Sequence, residues 1–180
     1  PVREHIPALQ LLIALTFFLS ALAAYYATYQ ILKSVPASIV AAFAYSLNGY
    51  HLLDAFVRGA LAEVFAFVWI PPAIAAFYKT LVEEKSAKWI MLSGLFLGLE
   101  VLTHLITAYL MTIMLVFLAI LVSPLKRSIL RYLLVLMVAA SVSAWWAFPF
   151  FFESSLATMS RIQAAYRWPY TLTVFLTSPS

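Results

Sequence analysis

The chain has 180 residues, of which 65% are hydrophobic and 10% are charged, and its mean hydropathy is +0.98. Because a soluble domain carries about 25% charged residues, this composition excludes a soluble globular protein and predicts an integral membrane protein. The formal net charge of +4 indicates no nucleic-acid partner, and the absence of cysteine excludes a disulfide framework and a thiolate metal site.

Apolar runs of about 20 residues, each able to cross a hydrocarbon core roughly 30 Å thick, recur along the chain. They predict an all-α fold, a polytopic membrane helix bundle of about six spans that forms one membrane domain over residues 1–180. The start, Pro-Val-Arg-Glu-His, has neither an initiator methionine nor a signal peptide, so we expect an internal fragment of a longer protein. The predicted spans are 8–31, 36–53, 62–81, 88–105, 106–122 and 128–148.

Breaks between the predicted spans coincide with prolines and short polar residues. Ser34 and Pro36 separate the first span from the second, and Asn48 softens the exit of the second. Pro71-Pro72 is predicted to kink the third span. The last span leaves the membrane through an aromatic stretch, 143–153, which is either an interfacial belt closed by proline or a groove for a lipid tail.

Lysine and arginine resist translocation, so their distribution between alternate loops predicts the orientation of the chain. The loops that hold most of them are predicted to be cytoplasmic, although the run Lys85-Ser-Ala-Lys88 is too short for a basic patch. The connection 48–63, the turn near His104 and the tail from 153 onward then lie on the outer face. The cytoplasmic set is Lys33, Lys79, Lys85, Lys88, Lys126, Arg127 and Arg131; the outer set is Arg3, Arg58, Arg161 and Arg167. An outer aromatic belt is expected from Trp145, Trp146, Tyr166, Trp168 and Tyr170.

The connection after the second span concentrates ionisable residues beside the membrane, where such groups commonly serve a function. If 52–63 is helical, Asp54 and Arg58 form an i,i+4 pair and Glu63 points away from them, toward a cavity between spans. One interpretation is an interfacial ion pair that fixes the start of the third span. The other is a site for a phosphate-bearing membrane substrate, in which Arg58 binds the anion and Glu63 is a metal ligand or handles a proton. The candidate residues are His51, Asp54, Arg58 and Glu63.

Glu100 and His104 are four residues apart and therefore share one helix face. A lone carboxylate about one turn below the membrane surface is costly, so we expect Glu100 to be neutral or paired with His104 or a hydroxyl group. This pair either ties helices together, or His104 reaches the same outer cavity as Arg58 and Glu63 and binds phosphate or a proton.

Four segments carry a family resemblance: Tyr45-Ser-Leu-Asn-Gly-Tyr50, Val57-Arg-Gly-Ala-Leu-Ala-Glu63, Leu102-Thr-His-Leu-Ile-Thr107, and Ser143-Ala-Trp-Trp-Ala-Phe-Pro149 with Glu153. Over nearly its whole length the chain resembles the bacterial and archaeal membrane proteins labelled 6-pyruvoyl-tetrahydropterin synthase-related, a label that denotes a name and not a pterin activity. These proteins look like members of the GT-C glycosyltransferase superfamily, membrane helix bundles with a site on the outer face.

The resemblance implies a prokaryotic cell-membrane enzyme that transfers a sugar from a polyprenyl-phosphate donor to an acceptor outside the cytoplasm, with inversion. The principal acid of such enzymes lies in an outer loop that would precede Pro1, so only Arg3, Glu4 and His5 would remain of it. By position, the candidate catalytic residue Glu63 matches a further acidic residue that supports a metal ion or the donor phosphate in some members of the superfamily. His104 matches a basic residue that can approach the donor phosphate. The cofactor stays open, with a divalent metal ion as one alternative.

Two other functions remain open at this point. The chain could be a non-catalytic structural subunit of a larger membrane assembly, or a transporter of small solutes. An upstream span followed by an acidic outer loop would favour the enzyme, whereas tightly packed loops without a cavity would favour the structural subunit. A transporter would show inverted repeats or a broken helix at the membrane midplane, and the sequence contains neither pattern.

Overall fold

The computed structural model describes residues 2–84, 86–122 and 124–153, and these residues form helices without any β-strand. The prediction of an all-α membrane helix bundle is confirmed. Two compact units divide the chain, Pro1–Ala144 and Trp145–Ser180, and the expectation of one membrane domain stays a prediction. The helices are α1 (Val2–Leu32), α2 (Val35–Ser46), α3 (Gly49–Leu53), a π-helical turn (Asp54–Arg58), α4 (Leu61–Ala66), α5 (Ile70–Val82), α6 (Ala87–Thr103), α7 (Leu105–Val122) and α8 (Leu125–Glu153).

Four helical segments of the described chain are long and apolar enough to cross a membrane, fewer than the six spans predicted. The helices at the other two predicted spans, α2 and α6, are too short. At 1.5 Å per residue the 17 residues of α6 reach about 26 Å and the 12 residues of α2 about 18 Å, against a hydrocarbon core of roughly 30 Å. The four are Pro7–Leu32, Leu61–Val82, Leu105–Val122 and Lys126–Phe150.

The second predicted span, 36–53, is wrong as a single helix, because α2 ends at Ser46 and α3 starts afresh at Gly49. Asn48 causes this break. Its side-chain oxygen accepts a hydrogen bond from the backbone N–H of His51 at 2.9 Å and so caps the new helix. Residues 47–60 therefore form a connection outside the spanning helices, and the candidate residues at 51, 54 and 58 lie in it.

Pro71 and Pro72 open α5 rather than kink a continuous third span. Proline lacks the N–H that continues a helix, and this loss is tolerated in the first turn. Between α4 and α5 the chain forms a tight turn instead, in which the Trp69 N–H donates to the Ala66 carbonyl at 3.0 Å. This break leaves the Phe67 carbonyl free to accept a hydrogen bond from the Tyr45 hydroxyl at 2.8 Å.

The core of the first unit lies around α5, which packs against α1, α6 and α7. Phe77 and Leu115 are fully buried in it. Gly94 and Gly98 of α6 allow α8 to approach closely, since a Cβ built on Gly94 would lie 2.4 Å from Val138 Cβ. The core residues are Ala73, Phe77, Leu81, Leu97, Met111, Leu115, Ala119, Val135 and Ala139.

In the second unit, the described residues 145–153 continue helix α8 through Pro149 to Glu153. The candidate span within this helix, Lys126–Phe150, agrees within two residues with the predicted span 128–148. Aromatic pairs one turn apart support the helix across the proline. The Trp146 and Phe150 rings stack with centroids 5.2 Å apart, and those of Phe148 and Phe152 lie 4.4 Å apart. The predicted belt residues Tyr166, Trp168 and Tyr170 lie outside the described residues.

Candidate functional site

The connection between α3 and α4 reverses direction at Gly59, which adopts a left-handed conformation with φ 64°. Glycine takes this conformation without the steric cost that a Cβ would add. Residues 52–63 are therefore not one continuous helix, which was the condition under which Glu63 would point away from the Asp54–Arg58 pair. The reversal brings Glu63 back, with its Oε2 atom 3.2 Å from Arg58 Nη1.

Arg58 is the centre of a polar cluster formed with Tyr50, Asp54 and Glu63. Its Nη1 atom binds Asp54 Oδ1 and donates to the Tyr50 hydroxyl at 3.1 Å. Tyr50 in turn donates to Glu63 Oε1 at 2.5 Å. The Asp54 side chain is fully buried and that of Glu63 is 9% exposed, whereas the Arg58 side chain is 46% exposed. One cation therefore faces two carboxylates, and the cluster carries one excess negative charge.

Hydrogen bonding sets the protonation states within this cluster. The bond to Glu63 is the main cause that raises the pKa of the Tyr50 phenol, which therefore stays a neutral donor. Hydrogen bonds to Tyr50 and Asp54 raise the pKa of Arg58, which stays charged. Within the described chain, Nη1 makes every hydrogen bond found for this guanidinium, so Nε and Nη2 keep their donors available on the exposed side.

A cavity of about 280 Å³ lies beside the cluster. Glu63, Tyr50 and Thr107 contribute its polar groups, and all other lining side chains are apolar. It opens on the outside of the bundle, since the lining residues Tyr50 and Leu110 are 50% and 58% exposed. The apolar lining residues are Phe67, Ile70, Leu110, Met111 and Met114. A mostly apolar cavity with a few polar groups at one end suits an amphipathic ligand.

His51 is enclosed beneath the cluster. Its ring is stacked between Phe17 and Phe67, with centroids 4.2 Å from each, and it is fully buried. Its Nδ1 atom lies 3.1 Å from the Ser46 carbonyl, while Nε2 has no hydrogen bond of ordinary geometry in the described part of the chain, although the Val64 backbone is close. Burial lowers the pKa of His51 and favours the neutral ring. Neither His51 nor the buried Asp54 lines the cavity.

His104 lies at the same end of the bundle as the cavity and contacts it through Thr107. It ends α6, and its Nδ1 atom lies 3.3 Å from the Thr107 hydroxyl, which lines the cavity. The connection 48–63 and the turn near His104 thus lie at one end of the bundle. Which side of the membrane that end faces stays a prediction.

Glu100 is fully buried beneath this turn, and its partner is not the His104 side chain expected from the sequence. Neither carboxyl oxygen makes a hydrogen bond of ordinary geometry with the described residues. The Thr107 hydroxyl and the Tyr45 phenol are close enough to interact with it electrostatically. Thr107 and Tyr45 are therefore the hydroxyl neighbours of Glu100.

The residues of the cluster do not fit a divalent metal ion by themselves. Asp54 and Glu63 both bind Arg58, and no group of three or more histidine and acidic side chains suited to a metal occurs among the residues described.

Tyr50 and Thr107 are the site residues that sequence reasoning missed. Tyr50 precedes Asp54 by four positions and Arg58 by eight, a spacing that places all three on one helical face. Thr107 follows His104 by three positions. Both spacings were available signals, but hydroxyl groups in apolar segments most often bond to the backbone of their own helix.

The profile of the 6-pyruvoyl-tetrahydropterin synthase related domain, which describes a membrane protein, matches residues 2–177. Among curated proteins and among solved structures, nothing matches the chain.

Proposed function

The chain belongs to the 6-pyruvoyl-tetrahydropterin synthase related family of membrane proteins, and we propose that it is, or forms part of, a GT-C-like glycosyltransferase that uses a polyprenyl-phosphate sugar at the outer membrane face. The observation that carries the proposal is the cavity of about 280 Å³ with a carboxylate, a phenol and a neighbouring guanidinium at one end and apolar walls elsewhere. A lipid phosphate has the same division into a charged head and an apolar tail.

Arg58 is the proposed phosphate-binding residue. Half of its side chain is exposed, and Nε and Nη2 form the planar fork that matches two phosphate oxygens. Asp54 and His51 act as supports in this proposal, since both are buried beneath Arg58 and Glu63. His104 acts through Thr107, which lines the cavity and whose hydroxyl lies 3.3 Å from His104 Nδ1.

Glu63 is the proposed proton acceptor. In the transfer, the acceptor hydroxyl gives its proton to a Glu63 oxygen while its own oxygen forms the new bond to the anomeric carbon. The bond from that carbon to the phosphate oxygen breaks with inversion, and the polyprenyl phosphate leaves with its electron pair. Protonation releases Arg58 from Glu63 just as negative charge develops on the leaving phosphate, so the guanidinium stabilises the later part of the reaction.

Because the cluster holds two carboxylates and one guanidinium, substitutions of Glu63 and of Arg58 should change phosphate binding in opposite directions. With two carboxylates against one cation, phosphate binding is opposed by Glu63 and favoured by Arg58. Glu63→Gln should therefore bind undecaprenyl phosphate as tightly as the native protein or more tightly, yet lose sugar transfer. Arg58→Ala should weaken binding roughly ten- to a hundredfold, the usual range for a charge-assisted hydrogen bond, and Arg58→Lys should recover only part.

Binding is measured on the purified protein in detergent by native mass spectrometry with undecaprenyl phosphate as the probe. Because Arg58→Ala leaves the buried Asp54 without its cation, the double variant Asp54→Asn/Arg58→Ala keeps the fold testable. Lys33→Ala, which removes a cation bound to Gln30, is the control. Equal binding by all variants would refute the lipid-phosphate site and leave the structural subunit as the better account.

A further inference from the structure

The end of the bundle opposite the cavity contains a second charged cluster, centred on Glu83. Helix α5 joins the two ends, since Ile70 at its start lines the cavity and Glu83 follows its last residue, about 20 Å away at 1.5 Å per residue. Glu83 accepts a hydrogen bond from the Trp89 indole at 2.5 Å and pairs with Lys79 at 3.3 Å. The Trp89 bond is the main cause that lowers the pKa of Glu83, which is therefore ionised.

Two arginines from α8 reach the same place but bind backbone carbonyls instead of carboxylates. Arg131 is buried and donates to the carbonyls of Thr80, Leu81, Glu83 and Glu84. Arg127 donates from Nη2 to the Glu83 carbonyl at 3.2 Å. These carbonyls form the negative end of the α5 dipole, which attracts cations without cancelling a full charge.

Positive charge is consequently in excess at this end. Lys88 places its ammonium group 5.1 Å from the centroid of the Trp89 ring and so joins the cluster. Four basic residues, at positions 79, 88, 127 and 131, accompany the two acidic residues Glu83 and Glu84, an excess of two positive charges in this set. In the described part of the chain neither Lys88 nor Arg127 lies within 4.0 Å of a carboxylate, and both are exposed.

Exposed apolar side chains lie next to the two exposed cations on the membrane side. Met91 follows Lys88 by three positions and Leu130 follows Arg127 by three, so each pair shares a helix face. Met91 is 59% and Leu130 61% exposed. Both helices run from this end toward the cavity end, so the apolar residues lie deeper in the membrane than the cations. A headgroup anion above two apolar contact faces is the arrangement that a phospholipid requires.

We propose that this surface, formed by Lys88, Trp89, Arg127 and the neighbouring apolar residues Met91 and Leu130, is a binding site for the phosphodiester headgroup of an anionic glycerophospholipid. The phosphate bridges Lys88 and Arg127, which come from different helices held together through Glu83. Arg131 holds the end of α5 in place through its carbonyl hydrogen bonds, and in this proposal it does not contact the lipid. The site is independent of the cavity and of the transfer reaction.

The test compares dioleoylphosphatidylglycerol with dioleoylphosphatidylcholine, added to the detergent-solubilised protein and followed by native mass spectrometry. We expect the native protein to prefer phosphatidylglycerol. Because each Lys or Arg near a membrane surface strengthens anionic lipid binding about fivefold, Lys88→Gln and Arg127→Gln should each weaken it by that factor, and the double variant roughly 30-fold. Binding of phosphatidylcholine should stay unchanged.

Lys33→Gln is the matched control, since it removes one cation from the same end of the bundle outside the Glu83 cluster. An equal loss in this control would show general electrostatic attraction and overturn the site. Inorganic phosphate forms a separate arm: if it competes at the concentration at which phosphatidylglycerol binds, the surface recognises free phosphate and the lipid assignment is wrong. Lys88 makes no hydrogen bond in the described chain, so its variant tests the site without disturbing the α5 end.

Discussion

Replacing Gly94 by alanine tests how closely α6 and α8 must approach. The new Cβ would lie 2.4 Å from Val138 Cβ, 2.6 Å from its Cγ1 and 2.9 Å from the Val135 carbonyl oxygen. Carbon atoms pack at about 3.5–4.0 Å, so the two helices must separate by roughly 1 Å. Neither a Cβ atom nor a backbone oxygen can move aside by a change of rotamer.

The cost follows from two opposing effects. Overpacking of a tight core costs up to about 3 kcal/mol, and alanine regains about 1 kcal/mol of helix propensity over glycine. We therefore expect Gly94→Ala to lower the free energy of unfolding by about 2 kcal/mol. Gly98→Ala should cost less, because its shortest contact would be 2.7 Å.

Equilibrium unfolding in mixed detergent micelles, followed by far-ultraviolet circular dichroism, measures this difference. Gly49→Ala is the matched control, since a Cβ there meets nothing within 4 Å. It should be neutral or slightly stabilising. Close approach of α6 and α8 at Gly94 is refuted if Gly94→Ala is no less stable than Gly49→Ala, or if Gly98→Ala is the more damaging of the two helix α6 variants.

Three further predictions concern the connection and its orientation. Burial lowers the pKa of His51 in the folded protein, so below about pH 6.5, the ordinary pKa of histidine, the unfolded chain binds more protons than the folded one and stability falls as pH falls. The variant His51→Phe should reduce this loss of stability between about pH 7 and 5, measured by thermal unfolding. Tyr45→Phe leaves the Phe67 carbonyl without its donor and should cost about 1–3 kcal/mol in the same unfolding assay. In intact cells, a membrane-impermeant thiol reagent should label Val57→Cys, which is 75% exposed, and should label Lys88→Cys only after permeabilisation; the reverse pattern would invert the orientation.

The candidate site was predictable only in part. The Asp54–Arg58 pair follows from an i,i+4 spacing, which an α-helix and a π-helical turn both keep on one face, and the structure contains the pair although the turn is π-helical. The return of Glu63 to Arg58 was missed. It depends on one left-handed residue, Gly59, and a single backbone rotation there changes the direction of everything that follows.

Membrane character and helical fold were determined by the sequence itself, because both depend on the hydrophobicity of consecutive residues. The positions of most breaks were determined in the same way, since prolines and capping residues act within one or two turns. Tertiary structure alone decided which distant residues meet. Thr107 lines one cavity with Tyr50 and Glu63, and Arg127 reaches the Glu83 carbonyl, because helix packing brings Thr107 and Arg127 to positions that lie 44 or more residues earlier in the chain. No local pattern records such contacts, since they depend on how α5, α6, α7 and α8 fit around small residues such as Gly94.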